Sequence, residues 1–81
     1  MSTTMTQPIT LSAGLIDRAK AHVRQEIEAL RTMPGTPGLY HRAEVNGRLR
    51  TLEGLGLINA PEAQALGELA DAAQQEGEEA H

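Results

Sequence analysis

The stretch PGTPG, residues 34–38, decides the fold of this chain, because it separates two long segments that both have helical periodicity. Proline disfavours helical geometry in the residue before it, so Pro34 predicts that a first helix ends by residue 33. Thr36 followed by Pro37 is typical of a helix N-cap followed by a first-position proline. A connection this short leaves room only for an antiparallel neighbour. We therefore predict a helical hairpin centred near residue 36.

The segments on either side of this turn each carry one aliphatic stripe. Before the turn, apolar residues recur at spacings of three and four, which predicts a helix over residues 10–33 with one buried face. That stripe comprises Leu11, Leu15, Ile16, Ala19, Val23, Ile27 and Leu30. After the turn, Val45, Leu49 and Leu52, with Leu55 at the end of the stripe, predict a second helix over residues 37–54, which Gly54 or Gly56 terminates.

A third helix is predicted over residues 60–75. Its start is the stretch NAPE, residues 59–62, in which Asn59 and Glu62 form a capping box. Its weakly apolar stripe comprises Ala63, Leu66, Leu69, Ala70 and Ala73. The expected fold is all-α, a small three-helix bundle made of an antiparallel hairpin and a shorter third helix over residues 10–75. A disordered leader, residues 1–9, and an acidic tail, residues 76–81, are expected to flank it.

Composition narrows the classes of function. The 81 residues suffice for one small domain, and they include no cysteine and a single aromatic residue, Tyr40. Base-stacking surfaces and pockets for organic cofactors rely on several aromatic side chains, so no cofactor is expected. Neither a signal peptide nor an apolar run of the ~20 residues that a membrane helix needs is visible. We expect a soluble cytoplasmic protein without a membrane partner.

Charge is unevenly distributed along the chain. Residues 1–50 contain all seven basic and four acidic residues, whereas residues 51–81 contain seven acidic residues and no basic one. The acidic part is interpreted either as a solvated surface that maintains solubility or as an imitation of a nucleic-acid backbone. The second interpretation depends on Glu68, Asp71, Glu76, Glu78 and Glu79.

Two histidine–carboxylate pairs are the only candidates for a metal site. His22 and Glu26 are spaced i, i+4, and His41 and Glu44 are spaced i, i+3. A turn centred near residue 36 places His41 opposite a residue near 31, so His22 is expected ~13 Å away along the helix. Because metal ligands must converge within a few ångströms, no metal site is expected. The sequence also lacks a phosphate loop and a nucleophile with a plausible base, so we expect no enzyme.

One flank of the second helix carries Arg42, Asn46 and Arg50 at four-residue spacing. Arginine and asparagine are the residue types that read guanine and adenine edges, which makes a nucleic-acid-associated regulator one hypothesis. Glu44 and Glu53 on the same helix, together with the net charge of −4, argue against it. The flank is then either a protein contact or a solvated surface.

The same helix has a strip of small residues, Ala43, Gly47 and Gly54, with Thr51 beside it. Glycine inside a helix is about 1 kcal/mol less favourable than alanine, so Gly47 requires an explanation. It is either a surface residue without a role or part of a strip that another backbone approaches closely. The third helix, a second subunit and a foreign protein are the candidates for that approach.

The leading hypothesis is a small non-enzymatic helical module that binds another protein. Such a module would serve as an adaptor, regulator or inhibitor of a larger bacterial, plasmid or phage machine, and homodimerisation would enlarge its modest core. The expected partner-binding residues are Arg42, Ala43, Asn46, Gly47, Arg50 and Gly54. The alternatives are the nucleic-acid-associated regulator and the acidic mimic that occupies a nucleic-acid-binding groove.

Overall fold

The computed structural model describes residues 13–80, which form three helices in series. Helix α1 covers Ala13–Ala29 and leads into a 3-10 turn, Leu30–Thr32. Helix α2 covers Thr36–Gly54 and helix α3 covers Ala60–Glu79, and the described residues include no strand. The all-α class with three helices is confirmed. The predicted leader and residues 10–12 of the predicted first helix lie outside the described residues.

The three helices enclose one aliphatic core. Its residues are at most 9% exposed and come from every helix and from the α2–α3 connection: Val23, Ile27, Leu30, Val45, Leu49, Leu52, Ile58, Leu66, Ala70 and Ala73. Each large aliphatic side chain buried in this way contributes ~1.5–3 kcal/mol. The buried faces follow the predicted stripes, although Leu15, Leu55 and Leu69 at their margins are 43%, 66% and 51% exposed.

Ion pairs show how α3 lies against the hairpin. Lys20 in the middle of α1 pairs with Glu62 in the first turn of α3, with 3.2 Å between Nζ and Oε2. Arg31, just after α1, pairs with Glu76 near the end of α3. Helices α1 and α3 therefore run parallel, with α2 antiparallel to both, in an up-down-up bundle.

The register of the hairpin differs from the prediction. The ring Nε2 of His41 donates to the carbonyl oxygen of Glu26 at 2.7 Å, so His41 lies opposite residue 26 rather than residue 31. The chain reverses earlier than predicted because α1 ends at Ala29 and tightens into the 3-10 turn, where the amide of Met33 donates to Leu30. Gly35, with φ 76°, completes the reversal before α2 begins.

The end of α3 also differs from the prediction, which placed it near residue 75 before an acidic tail. The helix continues through Glu79. Its last turns contact the hairpin turn: Glu76 pairs with Arg31, and Glu78 Oε2 accepts from the amide of Gly35 at 2.6 Å. Gly77 lies directly against the carbonyl oxygen of Leu30, so close that a Cβ would collide with it. These tertiary contacts outweigh the weak apolar character of the segment.

The corner between α2 and α3 follows the sequence closely. Gly56 has φ 76°, and the amides of Gly56 and Leu57 donate to Glu53 and Leu52, both at 2.9 Å, which is the hydrogen-bond pattern of a Schellman motif. The capping box is confirmed: Asn59 Oδ1 accepts from the amide of Glu62 at 2.8 Å, and Glu62 Oε1 accepts from the amide of Asn59 at 3.1 Å. Ile58, 3% exposed, closes this end of the core.

Candidate functional site: the surfaces of α2

Helix α2 is the central element, and its three non-core surfaces have different roles. One side faces α1, one faces α3, and the outer side carries the small-residue strip. The six residues predicted to bind a partner are divided between the α3 side and the outer side. The predicted arginine flank therefore lies beside α3, and the predicted small-residue strip lies on the outer side.

On the α3 side, the guanidinium of Arg42 holds two helices together. Its Nη2 donates to Asp71 Oδ1 at 2.8 Å and to the carbonyl oxygen of Gly67 at 3.1 Å, and its Nη1 donates to Asn46. The Arg42 side chain is only 14% exposed. Two of the three members of the predicted flank, Arg42 and Asn46, are thus engaged with each other and with the chain's own third helix.

Arg50, the third member of that flank, is exposed. Within residues 13–80 its side chain makes no hydrogen bond or ion pair. A shallow groove of about 430 Å³ separates it from α3. The groove is lined by Asn46, Leu49, Arg50, Glu53, Ala60, Ala63, Gln64 and Gly67. Arg50 is therefore available to a partner, and Arg42 is not.

The outer side of α2 is uncovered. Ala43, Gly47 and Gly54 are all exposed, and a Cβ added at either glycine would meet nothing within 4 Å among the described residues. The third helix is therefore not what approaches this strip. Thr51 is turned back along the helix, where its hydroxyl donates to the carbonyl oxygen of Gly47 at 2.9 Å.

Large apolar side chains stand at both ends of the outer strip. Leu39 and Tyr40, in the first turn and a half of α2, are 61% and 72% exposed. Leu55, just after the helix, is 66% exposed. We call Tyr40, Ala43, Gly47 and Gly54, together with the flanking Leu39 and Leu55, the outer face of α2.

On the α1 side, an open groove of about 520 Å³ lies between the two helices of the hairpin. It is lined by Ala19, His22, Val23, Glu44, Gly47, Arg48, Thr51 and Leu52, so Gly47 borders both this groove and the outer face. Beside the groove, the side chain of Glu26 is 13% exposed and lies between Arg48 and His22. Its Oε1 lies 2.5 Å from Arg48 Nε, and its Oε2 lies 3.7 Å from His22 Nε2.

Both predicted histidine–carboxylate pairs form, but they do not combine into a metal site. His22 lies 3.7 Å from Glu26, and His41 Nδ1 lies 3.5 Å from Glu44 Oε1. The other nitrogen of His41 is already used by the Glu26 carbonyl oxygen. Among residues 13–80, no three side chains of histidine, aspartate or glutamate are arranged to hold a metal ion.

The acidic side chains of α3 all have partners inside the chain. Asp71, Glu76 and Glu78 bind Arg42, Arg31 and the Gly35 amide, as described above. Glu68 and Glu79 accept from Gln64 and Gln75 at 3.3 and 3.2 Å. These are the five acids on which imitation of a nucleic-acid backbone depends, so that surface is partly neutralised by the bundle itself.

Two clusters perturb ionisation. The side chain of Arg31 lowers the pKa of Glu28, and Glu28 and then Glu76 raise the pKa of Arg31. The backbone amide of Asn59, followed by Lys20, lowers the pKa of Glu62. One cluster joins Arg31 to the end of α3, and the other joins Lys20 to the first turn of α3. Neither cluster lies on the outer face. These pKa shifts therefore arise from contacts that stabilise the fold.

Comparison with protein-family models, with curated proteins and with solved structures finds no match to this chain. None of the helices described between residues 13 and 80 has the length and apolar character needed to cross a bilayer. The arguments for function accordingly rest on the geometry of α2 and its neighbours.

Proposed function

We propose that this protein is a non-enzymatic helical interaction module that binds another protein chain through the outer face of α2, as a cytoplasmic adaptor, regulator or inhibitor. The observation that carries the proposal is the open space over Gly47. Gly38 and Gly77 each lie against a backbone carbonyl oxygen of the chain, at Met33 and Leu30. Among residues 13–80, Gly47 has no such contact.

We infer from this contrast that contact with another chain explains the glycine at residue 47. A mid-helix glycine is about 1 kcal/mol less favourable than alanine, and nothing in the described chain offsets that loss at residue 47. Close approach of a foreign backbone would use the missing side chain. Tyr40 at one end of the face supports the same conclusion, because exposed tyrosines are enriched where proteins meet.

The two alternatives have weaker support. A nucleic-acid surface on the arginine flank retains only Arg50, since Arg42 is occupied by Asp71 and Gly67. An acidic mimic would have to release five carboxylates from partners inside the chain. Both remain distinct outcomes of the experiment below.

The test is affinity capture from nuclease-treated native lysate with three forms of the full chain. These are the wild type, Gly47→Glu and a matched control, Gly14→Glu, which makes the same change at another exposed helical glycine with open space. We expect the same protein to bind the wild type and the control and to be lost with Gly47→Glu. Circular dichroism confirms that all three fold.

Two results would contradict the proposal. Equal capture by all three forms would show that the captured protein does not bind through the outer face. Capture that disappears with nuclease, and that Arg50→Glu abolishes in untreated lysate, would make the nucleic-acid-associated regulator correct.

A further inference from the structure

We propose that the chain covering the outer face of α2 is a second copy of the same protein, packed antiparallel about a two-fold axis at Gly47. The inference rests on the proposed function and names the partner of the same surface. Closed two-fold pairs are the commonest oligomers, and they require a patch that is complementary to itself. The outer face has that property in both its shape and its charge.

The shape is complementary because large and small residues are placed symmetrically about Gly47. Tyr40 and Gly54 each lie seven residues from Gly47, so in an antiparallel pair the ring of one copy stands at the level of Gly54 in the other. At a rise of 1.5 Å per residue, both are ~10 Å from the axis. Gly47 meets its own counterpart, where the absence of Cβ lets the backbones approach.

The charges are complementary on the α1 side of the face. Glu44 and Arg48 lie there, with 65% and 47% of their side chains exposed. The two-fold axis keeps both residues on that side and brings Glu44 of each copy within ~3 Å, along the helix axis, of Arg48 in the other. Arg48 has donors beyond the one that faces Glu26, so it can serve both carboxylates.

The same residues argue against parallel pairing. A parallel two-fold pair would place Glu44 and Arg48 of one copy on the opposite side of the interface from those of the other, so no ion pair between them could form. It would also stack Tyr40 on Tyr40 and leave Gly54 opposite Gly54, with an empty space between the helices. The antiparallel arrangement allows the ion pairs and fills the space beside Gly54.

The test uses the absence of cysteine from the chain. A residue on a two-fold axis meets its own counterpart, so Gly47→Cys should form an intermolecular disulfide under mild oxidation. Open space at this position means that the side chain fits the folded monomer. Gly14→Cys is the matched control. We expect Gly47→Cys to cross-link at least ~10-fold faster, because a pair holds the two thiols at a high effective concentration.

A second arm tests the register. Tyr40→Cys and Gly54→Cys alone should each form no intermolecular disulfide under oxidation, whereas an equimolar mixture of the two should form the mixed disulfide. Rapid cross-linking of Tyr40→Cys alone would show parallel pairing and overturn the proposed arrangement. Cross-linking of Gly47→Cys at the rate of Gly14→Cys would overturn self-association itself.

Failure of this inference is distinguishable from failure of the proposed function. Suppose that Gly47→Cys cross-links no faster than the control, while Gly47→Glu still abolishes capture of a foreign protein. The outer face then binds another protein and not a second copy. If Gly47→Glu captures the same protein as the wild type and forms a particle of the same mass by light scattering, both proposals are wrong.

Discussion

At the scale of single residues, four of the helical glycines fall into two kinds. Gly38 and Gly77 face backbone carbonyl oxygens of the chain, whereas Gly47 and Gly54 face open space. The sequence analysis identified Gly47 as unusual but had no means of sorting the four, since the difference lies in what stands across from each helix. The contact of Gly77 was not predicted, because the sequence shows only a glycine, which weakens helices, among acidic residues.

This distinction predicts opposite effects of one substitution. Gly77→Ala should lower the free energy of unfolding by about 1–3 kcal/mol, because the new Cβ collides with the Leu30 carbonyl oxygen. Gly47→Ala should raise it by about 0.5–1 kcal/mol, because only helix propensity changes there. Urea denaturation of the two variants measures both. An increase in the free energy of unfolding for both would mean that the Gly77 contact is not made.

The two arginines at the ends of the predicted flank should also behave differently. Arg42→Ala removes the donors that bind Asp71 and the Gly67 carbonyl oxygen, and we expect a loss of about 1–3 kcal/mol. Arg50→Ala removes no contact within the described residues and should change stability by less than about 0.5 kcal/mol. Thermal melts of both variants test this difference. A loss at Arg50 comparable to that at Arg42 would contradict it.

At the scale of elements, the number of helices and their buried faces could be read from periodicity, because burial of an aliphatic stripe dominates their stability. Caps that depend on neighbouring residues were also readable, as Asn59 with Glu62 shows. What could not be read were the ends that tertiary contacts decide. The 3-10 turn shifted the hairpin register from residue 31 to Glu26, and contacts with that turn extended α3 through Glu79.

The start of α3 gives a prediction about pH. The Asn59 amide and Lys20 lower the pKa of Glu62 in the folded protein, so the ionised form favours folding. This stabilisation is present above the unfolded pKa, near 4.5, and is lost as pH falls through that value and below it. Wild type should therefore lose more thermal stability than Glu62→Gln between pH 7 and pH 3.

Glu53→Gln is the control for that comparison, because Glu53 is an exposed acid at the end of α2. It should show the same pH dependence as wild type. A wild-type profile for Glu62→Gln would mean that the capping box and the Lys20 pair contribute nothing to the acid sensitivity of the fold.

At the scale of the whole molecule, the uneven distribution of charge along the sequence corresponds to ion pairs between parts of the bundle. Basic residues of the first part meet acidic residues of α3 at three places, Lys20 with Glu62, Arg31 with Glu76 and Arg42 with Asp71. The sequence analysis assigned the acidic part to solvent or to a partner. These pairings depend on the register of three helices, which no local pattern contains.

Removal of residues 76–81 should therefore destabilise the whole bundle rather than trim a tail. It deletes the partners of Arg31 and of the Gly35 amide, together with the Gly77 contact. We expect Tm to fall by at least ~4 °C, the shift that about 1 kcal/mol produces in a domain of this size. Removing only residues 80–81 is the control and should leave Tm unchanged. An unchanged Tm in the longer deletion would show that α3 docks without its last turn.

The bond between the Gly35 amide and Glu78 links positions 43 residues apart in the chain. An amide proton in a short surface turn ordinarily exchanges with solvent almost as fast as in an unfolded peptide. Here that proton is shielded only while the far end of α3 is in place, so its exchange rate records how often the last turn of the helix departs. The hydrogen–deuterium exchange rate of this one amide thus reports the opening and closing of a segment 43 residues away in the sequence.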